Sequence, residues 1–151
     1  MNNVLAAVDF SPVSERVVAF AAKLAKVSRA KLYLVHIASP EPEFVGYDVG
    51  PKTERDAVAE RFRQEHRDLQ EMAERVREHG VDATALLVQG PTVEKLLEES
   101  ERLESAHMVV GTHGRGAMGR ILLGSVSEGI VREARTPVTV IPAVDKDADD
   151  S

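Results

Sequence analysis

The sequence predicts an α/β fold: a single domain of three layers, in which an open, parallel, five-stranded sheet lies between helices on both faces. Three observations predict it. Short apolar runs recur along the chain, and the first, Val4-Leu5-Ala6-Ala7-Val8, is apolar at every position, as a strand buried on both faces is. Between these runs lie stretches whose apolar residues recur at three- and four-residue steps, the period of an amphipathic helix. Finally, 151 residues with 43% hydrophobic content suit one core, and no internal repeat or linker divides them. Strands that alternate with helices pair in parallel through right-handed crossovers.

Each element follows from its own residues. The first strand ends on an acid, Asp9. Ser11-Pro12 reads as a helix N-cap followed by proline at the first helical position. Val13, Val17, Phe20, Ala21 and Leu24 set the inner face of a helix that runs to about Val27. Lys31-Leu32-Tyr33-Leu34-Val35-His36-Ile37 is the second strand. Residues 38–52, with Pro40, Pro42, Gly46, Gly50 and Pro51, carry no period and form a long loop, of the length often used as a lid. Residues 53–79 form a charge-rich helix closed by Gly80. Its stripe of Val58, Phe62, Leu69, Met72 and Val76 is interrupted by Glu65, which favours a surface helix on a sheet over a coiled coil.

Residues 83–89 are the third strand. Gly90-Pro91 opens another helix, with Val93, Leu96, Leu97 and Leu103 inward. Residues 106–110 are the fourth strand. Ser125-Val126-Ser127-Glu128 fits the capping-box pattern, and the helix it opens buries Val126, Ile130, Val131 and Ala134. Thr136-Pro137 stops that helix, and Val138-Thr139-Val140-Ile141, ended by Pro142, is the fifth strand. Residues 145–151 are acidic and expected to be disordered, which leaves 1–144 as the domain.

Composition excludes several classes. A net charge of −6 disfavours non-specific nucleic-acid binding. With no cysteine there are no disulfides and no thiolate metal sites. His36, His66, His79 and His107 show no metal-ligand spacing, so no protein-built metal site is expected. No apolar run approaches the roughly 18 residues of a membrane span. The first residues lack a signal peptide's basic and apolar regions, so the expectation is a cytoplasmic protein.

The chemistry concentrates after the fourth strand, in Gly111-Thr112-His113-Gly114-Arg115-Gly116-Ala117-Met118-Gly119-Arg120 and on to Gly124-Ser125. Glycines let the backbone approach a ligand closely, successive N–H groups can form an anion cup, and the next helix adds its unpaired N-terminal amides. This reads as a nucleotide-phosphate site. Alternatives stay open residue by residue. The glycines also suit plain turns. Ser125 is either a cap or, through its N–H, a phosphate contact. Arg115 and Arg120 are phosphate contacts or solvated charges. A lone loop histidine such as His113 is more often just exposed. Asp9 is a turn-former capping the first helix or, at a strand's carboxyl end, a site residue.

Four pieces of this chain resemble the universal stress protein family. They are the spacing of Gly111, Gly114, Gly124 and Ser125, with two and nine intervening residues between the glycines, the opening Val8-Asp9-Phe10-Ser11, the strand ending Val35-His36-Ile37, and the closing Thr136-Pro137-Val138-Thr139-Val140-Ile141. The resemblance spans almost the whole chain. It implies an adenine nucleotide alpha hydrolase-like sheet of order 3-2-1-4-5 and ATP as ligand. Asp9 and the backbone of Ile37 would face the adenine, with Ala7 and Gly111 near the ribose and Val110 among the residues binding the nucleotide. Gly114, Ser125, Val126 and Ser127 would hold the phosphates, with Gly124 and Arg115 in the same segment and magnesium bound through the phosphates. Ala7 stands where some nucleotide-binding members carry proline.

Two decoys fail. Gly114 to Gly119 fits G-x-G-x-x-G, but that dinucleotide fingerprint needs an acid at the end of the following strand, where Ile141-Pro142 stands. The same window lacks the P-loop Lys-Ser/Thr pair, since Arg120-Ile121 occupies it. No G-x-S-x-G elbow occurs. The expectation is therefore an ATP-binding sensor or regulator of a stress response. It would pair as a homodimer through the uncharged edge strand at 138–141 and be read by a protein partner that the sequence does not identify. The rivals are a slow ATPase, for which no residue is clearly placed to activate water, and a non-nucleotide dimeric interaction module.

Overall fold

The structure, a computed structural model, describes residues 3–38, 51–112 and 123–143, with the backbone alone for 51–54. Its elements in chain order are β1 (Asn3–Ala7), α1 (Ser14–Ser28), β2 (Lys31–Ala38), α2 (Pro51–Glu78), β3 (Ala83–Gln89), α3 (Thr92–Arg102), β4 (His107–Gly111), α4 (Ser125–Glu133) and β5 (Val138–Ile141). One sheet of order β3-β2-β1-β4-β5 holds all five strands, and every pairing is parallel. The predicted fold class and strand order are those observed.

The central strand explains the apolar run that begins the chain. Ala6 is paired with Leu34 of β2 on one side and Val109 of β4 on the other. Side chains of a strand point alternately to opposite faces, so β1 feeds two cores. Val4 and Ala6 join Leu32, Leu34 and Val109 beneath α1 and α2. Leu5 joins Val35, Met108 and Val110 beneath α3 and α4, against Leu96 and Ile130. A strand with cores on both faces has no position for a polar side chain, which is why the run shows no alternation.

The helices are amphipathic as predicted, with local corrections. Along α2, Leu69, Met72 and Val76 are buried, and Ala73 is buried with them. The outer face carries ion pairs such as Glu60–Arg63, 2.8 Å apart, and that guanidinium holds the Glu60 carboxyl below its ordinary range. Gly80 follows α2 with φ 84°, the left-handed closure its position predicts. Two residues assigned to inner faces are instead exposed, Phe20 at 40% and Val131 at 48%. Helical period alone fixes the direction of a face and not its width, and both lie at an edge of theirs. Gly129 of α4 permits a close approach that periodicity does not reveal. A Cβ there would lie 2.9 Å from Val93 Cγ2 of α3. The predicted loop 38–52 is shortened at both ends, because Ala38 belongs to β2 and Pro51 begins α2. Residues 39–50 and the predicted tail at 145–151 lie outside the described residues.

Leu34 and Val131 give a direct comparison of core and surface. Leu34→Ala should lower the unfolding free energy by about 2–5 kcal/mol, because a fully buried side chain leaves a cavity. Val131→Thr should change it by less than about 0.5 kcal/mol. Urea unfolding followed by circular dichroism checks both.

Candidate functional site

A cavity of about 370 Å³ opens at the carboxyl ends of β1, β2 and β4. This is where chain order reverses across the sheet, since β2 lies on one side of β1 and β4 on the other. Its volume falls at the small end of the range for ligand pockets, about 300–1,000 Å³. Ala7, Asp9, Ile37, Val110, Gly111 and Val126 line it together. Gly124, Ser125 and Ser127 belong to the first turn of α4, beside Val126, and do not line it. Gly114 and Arg115, with His113 and Arg120, lie outside the described residues.

The turn between β1 and α1 is built around Asp9. Its Oδ1 accepts from the Ser11 amide at 2.9 Å, the Ser11 hydroxyl at 2.6 Å and the Ser14 hydroxyl at 2.9 Å. Ser14 Oγ in turn accepts from the Asp9 amide at 3.3 Å. The expected Ser11–Pro12 helix start is therefore corrected. Helix α1 begins at Ser14, and its N-cap, Val13, makes no side-chain capping bond. A carboxylate accepts several hydrogen bonds at once, so Asp9 draws the Ser11 hydroxyl back to itself, and the Ser14 amide bonds the Ser11 carbonyl instead of its side chain. Asp9 thus forms the turn and also borders the cavity.

Gly111 is not a turn residue. It is the last residue of β4, and a Cβ there would lie 2.6 Å from Val13 Cγ1 and 3.1 Å from Val17 Cγ2. Helix α1 can lie against this end of the sheet only because the side chain is missing. Beyond it, Thr112 fastens the strand end to β5: its amide donates to the Ile141 carbonyl at 3.0 Å, and its Oγ1 accepts from the Ala143 amide at 2.9 Å.

The start of α4 corrects the capping-box expectation. Gly124 is the N-cap, Ser125 is the first helical residue, and no side chain caps the turn. The Ser127 hydroxyl donates back to the Gly124 carbonyl at 3.1 Å, and Glu128 turns to Arg132, 2.7 Å away. The helix starts one residue earlier than the box requires, which puts Ser125 inside it and Glu128 one position past the box. The amides of Ser125, Val126 and Ser127 are among the helix's first, which have no partner within the helix, and they carry the positive end of its dipole.

Several lining residues gave no sequence signal. Ser14 is one, visible afterwards as the second serine following Asp9. Phe10 is another. Its φ of 63° is left-handed, a conformation uncommon for an aromatic residue and one that sustains strain. Its ring tilts against the imidazole of His36, with centroids 4.7 Å apart. His36 is buried in the cavity wall, and Glu65 of α2 reaches it at 2.8 Å. The break in the apolar stripe at Glu65 is explained by this contact.

A larger, open trough of about 970 Å³ runs between α3 and α4. It shares Thr92 and Val126 with the cavity and includes Ser125. Its border carries Glu94, Glu98, Glu101, Glu104 and Glu133 against Arg135, a charge balance that repels phosphate. The smaller cavity is the better candidate site on those grounds.

A family model described as the universal stress protein family matches residues 1–142. The chain belongs to that family. A universal stress protein of Thermus aquaticus is 33% identical over 144 residues, covering 91% of this chain and 96% of its own. A crystal structure of a family member from Burkholderia pseudomallei is 28% identical, covers 94% of this chain and 96% of its own, and aligns with a TM-score of 0.71. Another universal stress protein, whose structure was solved in complex with cAMP, is 26% identical over 93% of this chain and 96% of its own, with a TM-score of 0.65. Among the described residues no group of three or more His, Cys, Asp or Glu could hold a metal ion, and no helix is long and apolar enough to cross a membrane.

The packing at Gly111 yields a measurable coupling. Gly111→Ala should cost about 1–3 kcal/mol through overpacking against Val13. In the double variant with Val13→Ala the loss should be smaller than the sum of the two single losses, because the clashing methyl groups are gone. A double-mutant cycle by urea unfolding measures it.

Proposed function

We propose that this chain binds ATP, with magnesium held through the phosphates, and acts in the cytoplasm as a dimeric, nucleotide-dependent regulator of a stress response. The observation that carries this reading is the meeting of one cavity, at the reversal of the sheet, with the uncapped amino end of α4. The cavity is of a size to take the base and sugar. Asp9 and the Ile37 backbone face the adenine, and Ala7, Val110 and Gly111 approach the ribose. The phosphates then run toward α4, where Ser125, Val126 and Ser127 offer backbone N–H groups and a helix dipole. Gly114, Gly124 and Arg115 complete the phosphate cup in this reading. The cAMP complex of the 26% identical relative supports an adenine nucleotide as the ligand class. No cluster of ligating side chains is required for the magnesium, because triphosphate oxygens and water suffice for that ion. Dimerisation follows from the edge of β5, whose four residues carry no charge.

Ser125 separates amide from hydroxyl. It is the first residue of α4, a position that accepts proline, and proline removes the N–H. Ser125→Pro should weaken ATP binding by roughly tenfold or more, the loss of one charge-assisted hydrogen bond of about 1.5–3 kcal/mol. Ser125→Ala, which keeps the amide, should bind within about threefold of the parent. Calorimetry with ATP and magnesium checks both, and equal affinity for all three proteins would overturn the assignment of the phosphates to this helix end. Sedimentation equilibrium at micromolar concentration should give the mass of two chains, and a monomer throughout would remove the dimer from the proposal.

A further inference from the structure

His36 is a buried histidine that the nucleotide reading leaves without a task. It lies on β2 one residue before Ile37, on the face that meets α2. Its Nδ1 is 2.7 Å from the Val8 carbonyl oxygen, and its Nε2 is 2.8 Å from Glu65 Oε2. A carbonyl only accepts, so Nδ1 carries a hydrogen. Nε2 and the carboxylate, both acceptors when unprotonated, then need one further proton between them. It sits on the ring as an imidazolium facing a carboxylate, or on the acid facing a neutral ring. With that proton in place, the ring ties α2 to the residue immediately before Asp9. Phe10, in its left-handed conformation, leans on the same ring.

We propose that His36 is a positioning residue of the nucleotide site. With Glu65 it holds the Val8–Phe10 corner so that Asp9 faces the cavity, and the hold lasts while a proton is shared between ring and carboxylate. The inference rests on the nucleotide reading above. Among the described residues, the charged groups around the ring are Glu65 and Arg61 from α2 and Asp9 from the turn, and the β3 residue paired with His36 is the apolar Leu87. Arg61 Nε is 3.6 Å from Glu65 Oε1 and keeps the carboxylate in place. When the shared proton leaves, the neutral ring has one hydrogen for two acceptors, the Val8 carbonyl and the Glu65 carboxylate, so one of the two contacts is lost. Either loss breaks the link that runs from α2 through the ring to Val8, and the corner beside Asp9 loses its support. Nucleotide affinity therefore falls as pH rises through the loss of that proton.

Glu65→Gln distinguishes this from a purely structural role. A glutamine amide donates to the neutral ring's Nε2, so the bridge survives without the titrating proton. Calorimetry with ATP and magnesium across pH should show affinity falling by about tenfold or more toward alkaline pH in the parent, in line with losing a hydrogen bond to a charged group. It should stay level in Glu65→Gln, and be weak at every pH in His36→Asn, which keeps a donor toward Val8 and loses the link to α2. Titration of the ligand itself is common to all three proteins. Identical pH profiles for the parent and Glu65→Gln would overturn the proposal, and if His36→Asn does not fold, that comparison carries the test. Nitrogen-15 spectra of the ligand-free protein give an independent reading. The amides of Asp9, Phe10 and Ser14 should move with the His36 ring nitrogens in the parent and stay still in Glu65→Gln. Amides that ignore the His36 titration would overturn the coupling. If they follow it while ATP fails to bind at any pH, the coupling stands and the nucleotide reading falls.

Discussion

The carboxyl rim of the sheet depends on how closely helix α1 lies against the end of β4. That contact sets the position of the β1–α1 turn, and with it Asp9, Phe10 and Ser14. It is possible because Gly111 offers no side chain to Val13 and Val17. A protein interior is packed to crystal density, so a single added methyl group here would be felt along the whole helix. The cavity borders the same junction, which makes Gly111 both a packing residue and a lining residue.

Much of this architecture is legible in the sequence, for identifiable reasons. Val4 to Val8 reads as a central strand because both of its faces are buried, and Gly80 reads as a helix terminator because its backbone is left-handed. The strand order is legible only through resemblance to a family, since no periodicity says which strand is whose neighbour. The lining by Ala7, Asp9, Ile37, Val110 and Gly111 follows from placing strand ends at one rim. What is not legible is contact between side chains distant along the chain. Nothing near Glu65 indicates that it serves a histidine 29 residues earlier. Nothing near Gly129 indicates that Val93 presses against it. Ser125-Val126-Ser127-Glu128 satisfies a capping pattern and still does not cap, because the helix starts one residue earlier, with Gly124 as N-cap, and Glu128 pairs with Arg132.

Asp9 illustrates how a structural and a functional reading can hold together. Three donors from Ser11 and Ser14 converge on one carboxylate oxygen and make it the organiser of its turn. Those bonds also fix where the carboxylate stands beside the cavity. In the proposed role, a side chain whose rotamer is already locked by neighbours loses little freedom when a ligand arrives.

The strand at the centre of the sheet also bears on the life of the chain before it is complete. Asn3 donates its side-chain amide to the Leu103 carbonyl, and those residues are one hundred positions apart. On the ribosome, β1, α1 and β2 emerge early, yet β1 gains its second neighbour only when β4 has been synthesised. Pairings between such distant segments close large loops and form slowly. A nascent chain therefore carries most of the cavity's lining, from Ala7 to Ile37, long before β4 is there to close the rim against it.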